Sequence, residues 1–401
     1  MKPIVPLPPG RLSGIVAAWL AVVALASSPT QAATPDEPYR AVMGEPVETE
    51  IEFRIAVTAP HHTKTLRVWV PIPPSDSAQT CESLGFETFP RAVEPQIGTE
   101  PTFGNRFAYF EFKAPRGAQM IEHRLRVTTR AMRWSVDPLR VSPPAEWPVA
   151  FEPYLRSDAA IELGEDVDAL LGEVAGDADA SAPADLRSAM NWLEDNMVYD
   201  HSVASLSGSS RHALEQRRGH CSDYHGLCAA FGRTLGYPAR ITYGLALFPK
   251  DSPSHCKLEV FLPPYGWVSF DISETQKLIN KIETDGTLRE EEKRVLAAAA
   301  RRRLHAGFRE AAWLLVTKGT DYDLAPPAAN RVRVVRTIYA EADGRPLPEP
   351  DPADTTKREF AWMTAHRYAS SDTLPMPFKD FETLRGMAES RPLLRRPDRG
   401  N

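Results

Sequence analysis

Over residues 47–127 apolar and polar side chains alternate, in "VETEIEFRIAV", "TLRVWVPIP", "NRFAYFEF" and "HRLRVTT", with Gly and Pro at the breaks. A period of two puts successive side chains on opposite faces of a strand. The stretch therefore predicts antiparallel strands with one buried face, a small β-sandwich over about 45–135. The proline-rich segment 138–153 predicts a linker.

Beyond it the period changes. Apolar residues recur at helical spacing over 158–174, over 184–197, and from Cys221 to Leu235, where Tyr224, Leu227, Cys228, Phe231 and Leu235 share a face. Gly236 and Pro238 stop that last helix. Strands return in "ARITYGLAL", "HCKLEVFL" and "GWVSFDI", the latter two joined by the turn residues "PPYG". A charged helix over 285–309, one more strand in "RVRVVRTIYAEADG" and a proline- and arginine-rich extension over 345–401 complete the chain. The expected fold class is α+β, a sandwich-like domain followed by an α+β core over 155–344.

At the start, Lys2 and Arg11 precede the apolar run "IVAAWLAVVALA" and small residues near Ala32. That order predicts a secretory signal peptide over 1–33. A membrane span needs about 20 apolar residues, more than this run supplies. The expectation is an exported chain, periplasmic or secreted, with no membrane span after signal cleavage. A net charge of −6, from 47 basic and 53 acidic residues mixed along the chain, gives no footprint for nucleic acid. Four cysteines in 401 residues are too few for a disulfide scaffold. In an oxidising compartment a free thiol is then expected to be buried or used. No feature of the sequence specifies an oligomeric state.

Candidate chemistry begins at Cys221. At a helix N-terminus a thiol faces free backbone N–H groups, which favour the thiolate and can also hold an oxyanion. Such a nucleophile needs a base and the base an orienting group. In "HCKLEVFLPPYGWVSFDI" the apolar positions Cys256, Leu258, Val260, Leu262, Val268, Phe270 and Ile272 are all even-numbered. One buried face then requires an even pairing sum, for example Val260 opposite Val268. That register places the odd-numbered His255 and Asp271 together on the other face as diagonal neighbours. Each residue also has a structural reading, and the residues alone leave both open. Cys228 and Cys256 are assigned to the core. A metal site would need donors such as His220, Cys221, His225, His255 and Cys256 to converge. Cys256 is expected to point away from His255, so neither metal nor other cofactor is expected.

The segments "GHCSDYHGLCAAFGRTLGYPARITYG" and "HCKLEVFLPPYGWVSFDISE" resemble the cysteine block and the histidine and aspartate block of the transglutaminase-like superfamily. "AMNWLEDNMVYD" is similar to the helix that precedes them. The resemblance covers about 184–344 and implies a papain-like core with Cys221 as nucleophile, His255 as general base and acid, and Asp271 as orienting carboxylate. His220 and Lys257 depart from the family pattern around the triad. Glu259 matches a recurrent carboxylate that needs pairing if buried. The implied activity is acyl chemistry on amide bonds of a protein or peptide substrate, through a thioester. Hydrolysis is preferred over amine transfer because no D-x-D-x-D-G calcium loop occurs. The alternative is a catalytically silent peptide-binding or scaffold protein.

Overall fold

In the computed structural model of the chain, the alternation of "VETEIEFRIAV" becomes β1 (Val42–Thr58), which buries Val47, Ile51, Phe53, Ile55 and Val57 and exposes Glu48, Glu50 and Arg54. The structure describes residues 33–175, 181–248, 254–348, 362–371 and 374–389. The expected signal peptide lies outside them apart from Ala33, as does much of the expected extension. Among the described residues no helix is long and apolar enough to cross a membrane.

Two sheets form the sandwich. In the first, β1 pairs antiparallel with β6 (Ala118–Arg133), which also pairs with β3 (Gln79–Phe89) and β12 (Phe308–Arg309). β16 (Trp362–Ser370) covers the other edge of β1. The second runs in the order β15 (Arg345–Pro346), β14 (Tyr339–Ala342), β2 (Thr65–Ile72), β5 (Arg106–Lys113) and β4 (Gln96–Thr99). Ile55, Val57, Leu66, Val68, Phe110, Phe112, Ile121 and Leu125 belong to one cluster contributed by both.

The expected divisions of the chain are crossed by its strands. β12 and β14 come from the segment expected to form a separate core, and β16 from the expected extension, yet all three complete sandwich sheets. A strand edge leaves backbone N–H and C=O groups unpaired, and these late segments satisfy them on β6, β2 and β1. From Thr34 onward the chain is one unit. The 138–153 segment is also no free linker: Phe151 and Tyr154 are buried, Phe151 packs on Phe261 with ring centroids 4.7 Å apart, and Trp147 Nε1 donates to Gly236 O at 2.8 Å. Trp147 and Phe151 within it, with Tyr154 next to it, anchor the segment despite its prolines.

A third sheet runs β11 (Trp267–Phe270), β10 (Ser254–Phe261), β9 (Ala239–Ala246), β13 (Trp313–Lys318), antiparallel throughout. The apolar parity sets its register, with Val260 opposite Val268 and Leu258 opposite Phe270. Ile241, Leu258, Val260 and Val268 share a cluster with Leu227, Cys228 and Phe231 of the site helix, whereas Leu245, Leu314 and Val316 belong to the sandwich cluster. The helices are α1 (Glu165–Ala175), α2 (Ala182–Asn196), α3 (Ser210–Gln216), α4 (Cys221–Thr234), α5 (Ile272–Thr284), α6 (Glu290–Ala306) and α7 (Glu382–Glu389). β7 (Val198–Tyr199) and β8 (Arg218–Gly219) pair in parallel just before α4.

Two features differ from the sequence reading. α4 is buried from Cys221 to Arg233 on all sides, not on one face, because α1, α2, α3 and α5 pack around it as well as the sheet. And the strand read through "GWVSFDI" stops at Phe270: Asp271 caps α5, accepting the Glu274 N–H at 3.0 Å.

Candidate active site

Cys221 is the first residue of α4. The His220 N–H donates to Asp223 Oδ2 at 2.9 Å, and Asp223 Oδ1 accepts from the Ser205 hydroxyl. Gly226, one turn on, lies so close to the preceding loop that a Cβ there would be 2.2 Å from Gly208 O. Cap and close approach together fix the height of the helix start, and with it the thiol and the N–H groups of the first turn.

His255 on β10 is held from two sides. Trp313 Nε1 donates to its carbonyl at 3.1 Å, and Asp271 Oδ2 takes its Nε2 at 2.8 Å. The carboxylate fixes the proton on Nε2 and leaves Nδ1 as the ring nitrogen for the thiol. The charge of His255 is among the influences that lower the Cys221 thiol. His255 and Asp271 therefore meet, and Cys221 lies near enough for the charge of His255 to lower its thiol; all three are buried.

The same geometry brings in residues the sequence reading left aside. Lys257, on the same side of β10 as His255, places Nζ 2.5 Å from Asp271 Oδ2 and 2.9 Å from Glu310 Oε2. Burial pushes the Asp271 carboxyl up, but Lys257 and then His255 more than reverse it and hold it well below the usual carboxylate range. Asp271 is thus an anion with three neighbours: imidazole, ammonium and the first turn of α5. The signal was an odd-numbered cation in a strand buried along its whole length.

Cys256 requires a correction. It is buried as expected, but it does not simply face away from the site: its thiol hydrogen-bonds to Cys221. The helix N-terminus lies over this end of β10, so the core face of the strand and the site meet there. His225 completes the arrangement. Its Nε2 accepts the Ile272 N–H at 3.2 Å, which puts the ring proton on Nδ1, 3.4 Å from Cys256 Sγ. Burial drives His225 down to about 4, so this ring is neutral near pH 7. Cys256 thereby receives a hydrogen bond from His225 and, on its other side, lowers the Cys221 thiol.

The thiols differ sharply in consequence. The bond from Cys256 lowers the Cys221 thiol; burial opposes this, and the charges of His255 and His220 add to the lowering, leaving Cys221 well below the ordinary thiol range. Burial raises Cys256 and Cys228, and pushes the half-buried Cys81 up to about 12. Beside the thiol, His201 is exposed while His220 is 1% exposed, and their rings stand edge to face at 5.6 Å. On the far side, Trp313, Glu274, Met376 and Phe378 line a cavity with His255. Glu259 is paired, as burial demands: it accepts from Arg240 Nε at 2.8 Å and from the Tyr39 hydroxyl at 2.8 Å.

The comparisons bear on the family and the fold. The model of the transglutaminase-like superfamily matches residues 168–272, so the stretch from α1 to the start of α5 is a transglutaminase-like domain. An uncharacterized protein of Haemophilus influenzae is 23% identical over 190 residues, 41% of this chain; the chain spans about half, 50%, of that curated relative's length. The solved structure of a "Putative Cysteine Protease" from Cytophaga hutchinsonii matches with a TM-score of 0.55 at 15% identity, over 85% of this chain and 96% of its own. At that identity the likeness is one of fold, and it takes in sandwich and core together.

Proposed function

We propose that the chain is a cysteine-dependent enzyme acting on amide bonds of proteins or peptides, with Cys221 as nucleophile, His255 as general acid and base, and Asp271 as the group that orients His255. One observation carries the reading: a thiol at the first position of α4 is lowered by the charge of a histidine whose Nε2 is fixed by a carboxylate at 2.8 Å. The Cys221 thiolate attacks the amide carbonyl carbon, forming a C–S bond, and the carbonyl oxygen takes up negative charge beside the N–H groups of the first turn. His255 protonates the departing nitrogen, the C–N bond breaks, and a thioester remains. Water then gives a proton to His255 and attacks the thioester, releasing acid and thiolate. An amine in place of water gives acyl transfer.

Hydrolysis is the outcome we favour. The test is a glutamine-containing peptide incubated with and without a primary amine: backbone cleavage or ammonia release supports hydrolysis, and amine incorporation supports transfer. Cys221 is only 7% exposed, which favours a second reading as a silent peptide-binding protein. Peptide binding without any product would select it. The order of charged, apolar and small residues over 1–33 supports export to a periplasmic or secreted location, which fractionation of the producing cell tests.

A further inference from the structure

Residues 374–384 lie beyond the transglutaminase-like domain and form a strap pinned at both ends. Leu374 is buried in the sandwich cluster, and Leu384 in a cluster with Leu278 of α5 and Leu296 of α6. Between them, Pro377 O accepts from Arg303 Nη1 at 3.0 Å, Lys379 O accepts from Lys281 Nζ, and Lys379 Nζ lies 3.4 Å from Glu274 Oε2. Glu274 is the residue whose N–H Asp271 caps. The strap is thus fastened to α6 and to the turn of α5 that holds the orienting carboxylate.

A cavity of about 610 Å³, with the exposed Arg133 and Ser135 in its lining, reaches Phe308, Glu310 and Pro377. Phe378 is not on its wall. That ring, 7% exposed, lines two small spaces instead. One, of about 10 Å³, it shares with His255 and Trp313; the other, too small for water, it shares with Asp271, Thr275 and Arg303. Lys257 Nζ lies 5.0 Å and Arg303 Cζ 4.6 Å from the ring centroid, within cation–π range. Phe378 therefore stands beside the buried Lys257 and Asp271, with its neighbour Pro377 facing the large cavity.

We infer that Phe378 is a positioning residue of the site: its ring roofs the chain of contacts from Lys257 through Asp271 to His255 and keeps the water of the large cavity off it. The inference rests on the site proposed above and adds to it a part from the C-terminal segment. The reason is dielectric. Lys257 and Asp271 attract each other strongly only where water does not screen them. With water beside them the carboxylate steadies a charged His255 less, and the charge that lowers the Cys221 thiol weakens. The other charged or titratable groups that face Asp271 and Lys257 are His225 of α4, Arg303 of α6 and Glu310, and His220 faces Cys221. All of these are kept in the variants below, so a shift there reports the roof.

The test is the pH profile of Cys221 alkylation by iodoacetamide in the full-length protein, followed by mass at low and at high salt. In Phe378→Ser, which opens the roof to water, the midpoint should rise by about one pH unit. It should also move with salt, as the parent's should not, because buried pairs are screened little. Phe378→Leu keeps an apolar cover and should recover most of the parent profile. Lys379→Gln, at a side chain 45% exposed, loosens the strap from the surface; its midpoint should rise by a smaller amount, and it carries the test if Phe378→Ser does not fold. A merely structural Phe378 would lower the melting midpoint of the serine variant and leave the profile of its folded molecules unchanged. That result, or a leucine variant shifted as far as the serine variant, or an unshifted Lys379→Gln where it stands alone, would overturn the inference. An ordinary thiol profile in the parent would overturn the site and the inference with it. Shifted profiles in a protein that turns over no peptide would support the roof and count against the activity proposed above.

Discussion

Lys257 Nζ stands 2.5 Å from Asp271 Oδ2, the same oxygen that takes His255 Nε2 at 2.8 Å. The carboxylate that orients the imidazole is itself held by a buried cation, which a second carboxylate, Glu310, holds at 2.9 Å. Removing the cation strands two buried anions. Lys257→Met is expected to cost about 3–5 kcal/mol of stability, and to lower kcat with little change in KM because Lys257 acts through Asp271. Urea unfolding and steady-state kinetics check this; unchanged stability would show that the pair is not buried as described.

Cys256 tunes its neighbour: its interaction with Cys221 is the largest of the influences that lower that thiol. Without that interaction the thiolate loses stabilisation and its pKa rises. In Cys256→Ala the rate of Cys221 alkylation should fall away at a higher pH than in the parent, most visibly near pH 6. Cys256→Ser, which keeps a donor, should recover part of the shift. The stability cost of the alanine variant should be about 1 kcal/mol, from lost burial. Identical alkylation profiles for all three proteins would remove Cys256 from the site.

Acid should weaken the fold through its buried histidines. Burial holds His123, His225 and His305 down to about 4, below the value of about 6.5 for an unfolded histidine. As pH falls from about 6.5 to about 4 the unfolded chain takes up protons that the folded chain refuses. The stability these residues contribute is therefore complete above about 6.5 and lost through that window, with a ceiling of roughly 3 kcal/mol each for His123 and His225. Glu100 and Glu194, raised by burial above the ordinary 4.5, act in the opposite sense within that window, while Asp271, held low, extends the loss to lower pH. Denaturant midpoints at several pH values should show the slope. His123→Gln should flatten it; a midpoint independent of pH over the window would contradict the prediction.

The Glu259 pairing is a structural feature, not a catalytic one. Arg240 lies 3.8 Å over the Trp267 ring and gives Nε and Nη2 to Glu259 at 2.8 and 2.7 Å. Glu259→Gln should leave that guanidinium buried without a counter-charge and cost about 3–5 kcal/mol. The alkylation rate of Cys221 per folded molecule should not change. A loss of reactivity without a loss of stability would place Glu259 in the site instead.

Parity carried the sequence reading furthest. The even-numbered apolar residues of β10 and β11 specify their register, and the odd-numbered His255 and Asp271 follow onto one side. The start of α4 was equally readable, from helical spacing beginning at Cys221 and the stop at Gly236. Parity assigns a face, however, and says nothing of what another element lays over the end of a strand, which is how Cys256 came to be placed wholly in the core. α5 was missed although "DISE" has Asp271 and Glu274 at capping spacing, because Asp271 was read only as a strand residue. β14 lies within the strand read in "RVRVVRTIYAEADG", but where it and β16 pair could not be read: their partners on β2 and β1 lie 270 or more residues away in sequence, and pairing at that range leaves no local mark.

The most direct test of the account asks which sulfur becomes acylated. The full-length protein is treated near neutral pH with a limiting amount of an activated peptide ester, quenched in acid, digested, and mapped by mass, with Cys221→Ala beside it. The account predicts a thioester on Cys221, whose thiol is held low, with Cys81, Cys228 and Cys256, all raised by burial, unmodified. The Cys221→Ala protein should be folded and unacylated. Acylation at another cysteine, or an adduct of equal yield in Cys221→Ala, would contradict it.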